Sequence, residues 1–255
     1  MRTLRDVLDA HCHLDDPRFD PDRDAVMDRA RAAGVTGLVV PGVTPARWPA
    51  LPGLARRHPE VRIGFGLHPE ALEALTPAER EAALADLPHW LTDHGACCVG
   101  ETGLDRRSPV PLAEQARLTT AHLALASELA LPVVLHCVGA HGALLRLLHD
   151  HGPVTGLLHA YSGSAELVPR YLALGLHLSF GGAVTWPGAR RPLQALRAVP
   201  ADRLLLETDA PDQAPHSRRG GRNEPALLPE IAARVAELRD STDLASGEAL
   251  GWSTP

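Results

Sequence analysis

Six residues of metal-ligating type, His11, His13, Glu101, His136, His159 and Asp209, stand at the carboxyl ends of short apolar runs: VLDAHCH, ACCVGETGLD, LPVVLHC, TGLLHAYSG and RLLLETDAP. In a parallel barrel those ends share one mouth, so the six groups converge. A single His-x-His is weak evidence, because a solvated or hydrogen-bonded histidine pair explains it as well. Six groups in phase with five strand ends point to a metal centre. Strand alternation puts His11 and His13 on one side and turns Cys12 away, which makes the pair a chelate. Glu101 and Asp209 are expected to complete that first site, His136 and His159 to offer nitrogen to a second, and Glu101 to bridge the two. Imidazole and carboxylate without thiolate suit Zn²⁺, Mn²⁺, Fe²⁺ or Ni²⁺, with Mg²⁺ less natural. The donor set does not choose among them.

Two divalent ions about 3.5–4 Å apart stabilise the attacking and leaving oxygens of an in-line displacement at phosphorus. The catalytic roles then fall to Glu101 as bridge and to Asp209, which ends a strand as ETDAP and can accept a proton from water. The plainer reading of Asp209 is a helix N-cap. His68, in GLHPE at the third strand end, can donate to a phosphate oxygen, cover the metals from outside their ligands, or merely cap a helix. Arg222 and Asn223, with Arg218 and Arg219 before them, follow Asp209 in a loop where guanidinium forks could hold a phosphodiester; a solvated charge run is the alternative. Glu207 is a candidate for orienting an inner histidine or arginine, or a structural carboxylate. The remaining histidines, 58, 89, 94, 122, 141, 149, 151, 177 and 216, are expected at the surface or at helix ends.

The elements that must position these groups alternate. Apolar strand text at 6–10, 37–42, 61–67, 97–103, 132–137, 155–160, 177–182 and 204–208 is followed each time by helical text, at 21–33, 45–57, 77–93, 111–130, 141–150, 165–174, 189–198 and 225–239. Eight such repeats predict a parallel sheet closed into a single (β/α)₈ TIM barrel, one domain over residues 1–255.

The formal charge of −6 argues against a general nucleic-acid or anionic-membrane coat, so a phosphate substrate must be captured locally. Arginine supplies all 25 basic residues, which excludes Schiff-base chemistry and a lysine-derived metal bridge. Cys12, Cys97, Cys98 and Cys137 lack the spacing of a zinc clip or redox pair and read as free buried thiols. The amino-terminal text has no apolar signal core, and no run approaches the roughly 18 apolar residues of a membrane span. A cytoplasmic enzyme is expected, with no membrane association and no protein partner.

With DAHCHLD, GLHP, VGETGLD, LPVVLHC, HAYSGS, LSFGG, LLLETDAP and GRNEP in that order, the chain resembles the TatD family of metal-dependent hydrolases over nearly its whole length. The resemblance implies a TIM barrel of the amidohydrolase-like superfamily, two metal ions on His11, His13, Glu101, His136, His159 and Asp209, and deoxyribonuclease or 3′-to-5′ exonuclease activity on a DNA or oligonucleotide substrate. Three positions depart from the family pattern: Cys137 and Val138 follow His136 where an Arg is often found two residues on, Arg106 replaces an aromatic after GETGLD, and the chain stops at ALGWSTP. Two other functions share these residues: an amide, ester or lactone hydrolase of the same superfamily, and an accessory binding protein with an idle metal site.

Overall fold

Runs of valine and leucine buried on both faces build the strands, the pattern of a parallel sheet covered by helices. The computed structural model describes residues 7–243 and 250–252. Its strands are β1 Val7–Asp9, β2 Val35–Pro41, β3 Val61–Phe65, β4 Cys98–Asp105, β5 Val133–Val138, β6 Gly156–Leu158, β7 Leu176–Phe180 and β8 Leu204–Leu206. They form one eight-stranded sheet in chain order, every neighbouring pair parallel. Between β8 and β1 the seam is closed by single contacts: Ala10 N donates to Leu206 O at 3.0 Å, and Asp9 accepts from Thr208 N at 2.9 Å and Thr208 Oγ1 at 2.6 Å. Asp9 is fully buried there, and burial pushes its carboxyl up to about 8.

The helices are α1 Arg23–Ala33, α2 Leu51–Arg57, α3 Pro77–Asp93, α4 Leu112–Glu128, α5 His141–His151, α6 Val168–Ala173, α7 Arg190–Ala198 and α8 Leu228–Arg239. α3 starts where it must: Thr76 and Glu79 form a reciprocal capping box with Pro77 in the first turn. α2 and α6 are shorter than the sequence suggests, because residues 48–50 and 165–167 tighten into 3₁₀ turns ahead of Pro52 and Pro169. Among the described residues no helix is long and apolar enough to cross a membrane.

The lower half of the barrel is filled by Ala10, Val39, Cys98, Val134, Leu157 and Leu205 together with Leu250 and Trp252. Trp252 is fully buried, and its indole donates to Cys97 O at 3.1 Å just before β4 begins. The short carboxyl-terminal text thus supplies a floor. The polar ligands occupy the opposite, carboxyl half.

Of the histidines expected at the surface or at helix ends, His58 is buried at the end of α2, and two more are buried away from any helix end. His177 lies within β7, and His122 belongs to the α4 stripe Gln115, Leu118, Thr119, His122, Leu123 and Ala126 that faces the barrel. His122 Nδ1 faces Leu118 O at 2.8 Å, and Nε2 accepts from Leu67 N at 3.2 Å, so the ring is neutral and fixes the backbone beside His68. Burial lowers its pKa from 6.5 to about 4. Between those values the unfolded chain takes up a proton that the folded chain refuses, so stability falls as pH falls through that window. In urea unfolding at pH 7 and pH 5, His122→Gln should lower the acid sensitivity by about 1–2 kcal/mol. An unchanged difference between the two pH values would place the titration elsewhere.

Candidate metal centre

Close backbone approach at β4 sets the site. Gly103 pairs with His136 of β5, and a Cβ on Gly103 would lie 2.0 Å from His136 O; its φ of +147° is one that L side chains rarely adopt. At the neighbouring strand end, a Cβ on Gly66 would lie 2.6 Å from Glu101 O. Only Glu101 and His136 sit inside strands. The others lie just past the ladder and are pinned by single backbone bonds: His68 N to Val43 O (2.9 Å), His159 N to Leu135 O (3.0 Å), Asp209 N to His11 O (2.9 Å) and His13 N to Ala210 O (2.7 Å). Asp209 takes a left-handed φ of 55°, a conformation its short polar side chain tolerates better than most.

Glu101 is fully buried at the centre, and its two oxygens face different imidazoles. Oε2 lies 3.3 Å from His11 Nε2 and 3.5 Å from His13 Nε2. Oε1 lies 2.8 Å from His159 Nε2, 3.1 Å from His136 Nδ1 and 3.2 Å from His68 Nε2. Asp209 Oδ1 joins the first group, 3.5 Å from His11 Nε2 and 3.4 Å from His13 Nε2. The two imidazole nitrogens of that group stand 3.2 Å apart, a separation that a proton or a cation must mediate. Neither oxygen of Glu101 has a donor in hydrogen-bonding geometry among the described residues. A buried carboxylate with both oxygens unpartnered and nitrogens converging on them is a cation cage, and these residues fit divalent metal ions.

The charges agree. Burial alone would raise the Glu101 pKa, but His68, His159 and His11 hold it well below the usual carboxylate range. Burial would lower His13, yet Asp209 and Glu101 push it up to about 9. His159 is likewise raised against burial by Glu101 and Glu207, whereas burial prevails at His11 and His68 and lowers both. The carboxylates thus draw positive charge toward the site, at His13 and His159 strongly enough to overcome burial.

The sequence profile of the TatD-related DNases matches residues 8–246. The chain belongs to the TatD-related DNase family. Among relatives, it is 32% identical over 245 residues to the uncharacterized metal-dependent hydrolase YabD of Bacillus subtilis, covering 92% of each chain. It is 38% identical over 246 residues to the 3′-5′ ssDNA/RNA exonuclease TatD of Klebsiella pneumoniae, covering 91% of this chain and 90% of that one. The crystal structure of the TatD homologue YjjV from Escherichia coli superposes with a TM-score of 0.85 at 32% identity, covering 96% of this chain and 94% of that one. This TatD-family chain is therefore a metal-dependent hydrolase.

An outer layer of this TatD-family site escapes the sequence reading in part. Asp105, two residues beyond Gly103 on the same face of β4, has Oδ2 2.9 Å from His136 Nε2, which leaves Nδ1 turned toward Glu101. Gln115 of α4 fixes Asp105 by accepting from its N–H at 2.7 Å and donating to its carbonyl at 3.0 Å. Glu207, foreseen as an orienting partner, lies 3.5 Å from His159 Nδ1 and accepts from Ala160 N at 2.8 Å. Arg107, unforeseen, donates to Asp105 Oδ2 at 2.7 Å and Glu70 Oε1 at 2.9 Å and lines the metal cavity of about 560 Å³. Gln213 holds Asp209 Oδ2. The GETGLD motif carried the signal for Asp105 through its alternation; nothing local marks Arg107 or Gln213.

His68 reaches the cavity with Nδ1 accepting from Glu70 N at 3.1 Å, so in the neutral ring the proton resides on Nε2, facing Glu101. Arg222 lies outside that cavity: its guanidinium donates to both oxygens of Asp22 at 2.7 and 2.8 Å and covers Phe19 at 4.8 Å. Asn223 is buried, and its amide donates to Thr208 O and Asp212 O, both at 2.7 Å, which shapes the loop around Asp209. Arg106, which replaces the family aromatic, donates to Gly139 O at 2.7 Å.

Chelation followed by reloading at about 100 times Kd should add about 2.7 kcal/mol to stability, a rise in Tm of about 5–10 °C by calorimetry. No shift with any divalent ion would remove the metal centre. Asp105→Asn should weaken metal binding by about 10- to 100-fold in calorimetric titration while the circular dichroism stays native.

Proposed function

We propose that the chain is a phosphodiesterase that trims single-stranded DNA or RNA ends with two divalent ions, held in a pair of sites that share Glu101. The observation that carries this reading is the division of Glu101 between two imidazole groups, His11 and His13 on Oε2 and His68, His136 and His159 on Oε1. Two ions so placed would supply positive charge to the attacking and leaving oxygens of a displacement at phosphorus. Imidazole donors suit Zn²⁺, Fe²⁺ or Ni²⁺, and the carboxylates beside them admit Mn²⁺.

The chain's own residues take the remaining steps. Asp209 presents Oδ1 to the His11 and His13 side while Gln213 holds Oδ2, so one oxygen stays fixed to orient water and accept its proton. His68, whose Nε2 lies 3.2 Å from Glu101 Oε1 at the cavity wall, is placed to cover the ions on that side of the carboxylate. Arg107 keeps most of its side chain in solvent, 62% exposed, and offers a guanidinium edge to a non-bridging oxygen from the cavity rim. The relatives named as 3′-5′ ssDNA/RNA exonucleases support the substrate class.

Each metal-loaded form, with Mg²⁺, Mn²⁺ or Zn²⁺, is to be assayed on single-stranded DNA, double-stranded DNA, bis(p-nitrophenyl) phosphate and a p-nitrophenyl ester. Single-stranded DNA and the phosphodiester should be cleaved and the ester spared; the reverse pattern would sink the reading. Asp209→Asn should keep the barrel and lose at least about 10²-fold in kcat at matched metal occupancy. Full activity in that variant would put the proton acceptor elsewhere.

A further inference from the structure

We propose that the second cavity beside the metal centre, walled by Trp186, Ala189, Pro192, Pro211, Ala214 and Arg222, is a nucleobase subsite. It seats a base of the single strand whose backbone enters the metal cavity, and so rests on the phosphodiesterase reading above. Its volume is about 1000 Å³, against about 560 Å³ for the metal cavity. Asp212 and Gln213 line both cavities, so a single wall separates them, and Gln213 in that wall also holds Asp209. A chain threading from one space to the other passes directly over the catalytic carboxylate.

The chemistry of the walls selects the occupant. One side is apolar and carries the half-buried indole of Trp186; its only polar atom, Nε1, is consumed by Ala214 O at 3.1 Å, so the indole offers the cavity no free donor. Arg219 sets its guanidinium over the same ring, 5.5 Å from the centroid, and forms no ion pair among the described residues. An aromatic platform beside an unneutralised arginine is the pairing that single-stranded nucleic acid uses, base on ring and phosphate on cation. Arg18 and Arg222 also line the rim, but each is ion-paired, Arg18 to Asp16 and Asp212 and Arg222 to Asp22, which leaves Arg219 as the cation for phosphate.

The platform is built before any ligand arrives. The turn at 182–185 that leads into Trp186 packs against the loop after β8 so closely that a Cβ on Gly182 would lie 2.1 Å from Gln213 O. Thr185 Oγ1 accepts from His216 N at 2.8 Å, and the His216 ring meets Trp186 edge to face at 5.4 Å. A base entering this space therefore pays little for ordering the wall, the condition under which stacking shows most fully in affinity. Stacking does not discriminate strongly among bases, which suits trimming of arbitrary sequence.

The test compares a short single-stranded oligonucleotide with one of the same backbone made wholly of abasic sites. Binding to the full-length chain, held inactive by chelator, is read by fluorescence anisotropy at low salt. The base-bearing strand should bind about 5- to 150-fold more tightly, the range for one stacked base. Trp186→Ala should bring that ratio toward one without weakening the abasic strand. Ala183→Leu, which narrows the cavity from an exposed position and leaves the Trp186 contacts in place, should do the same. A ratio near one in the unmodified chain, no measurable binding of the base-bearing strand, or a ratio unchanged in both variants overturns the subsite. Hydrolysis of bis(p-nitrophenyl) phosphate by the metal-loaded chain reports separately on the phosphodiesterase reading, so the two failures are distinguishable.

Discussion

A carboxylate buried at the centre of the barrel mouth, Glu101, sets the terms for everything around it. Taking an ion of that size out of water costs several kcal/mol unless opposite charge compensates it, and no backbone N–H is offered to its oxygens. Compensation comes from imidazoles on β1, β3, β5 and β6 or just beyond them, each delivered by a separate βα unit. That convergence forces the strands close together, which in turn demands glycine at 66, 100 and 103, where a side chain would strike neighbouring backbone. The glycines of the VGETGLD text are thus a consequence of the carboxylate between them.

The walls of the mouth are tied by arginine. Arg18 bridges Asp16 and Asp212, Arg222 grips Asp22, and Arg29 reaches both Asp22 and Glu224, so the loop after β8 is fastened to the segment leading into α1. Each exposed pair contributes little alone. Together they hold the one loop that carries Gln213 and Asn223 against Asp209. Planar guanidinium with several donors suits such multi-partner bridging, which lysine's single ammonium does not.

The strand ends were legible because each ligand terminates an apolar run, a local property that survives without knowledge of neighbours. Element order followed for the same reason, whereas α2 and α6 came out shorter than their text. Arg222 shows where local reading stops: the loop was visible, but its partner Asp22 lies 200 residues earlier and meets it only through barrel closure. Arg107 and the shared wall of Asp212 and Gln213 likewise depend on which loops become neighbours around the mouth. His122 was within reach, since its spacing from Leu118 and Ala126 places it on the inward stripe of α4. It was passed over because a lone polar residue on a helix is usually read as exposed. Asp105 stood in plain text, and its alternation with Glu101 and Gly103 carried the information that a terminal aspartate of a turn obscures.

The continuous line from Arg107 through Asp105 to His136 joins solvent to the inner donors in two contacts. An anion that draws Arg107 outward loosens its hold on Asp105 and so alters the basicity of the ring that Asp105 orients. By thermodynamic reciprocity, whatever factor an anion at the rim imposes on cation affinity inside, the cations impose on the anion. With an anion at the rim and ions inside both bound, the strength of each would be a property of the pair.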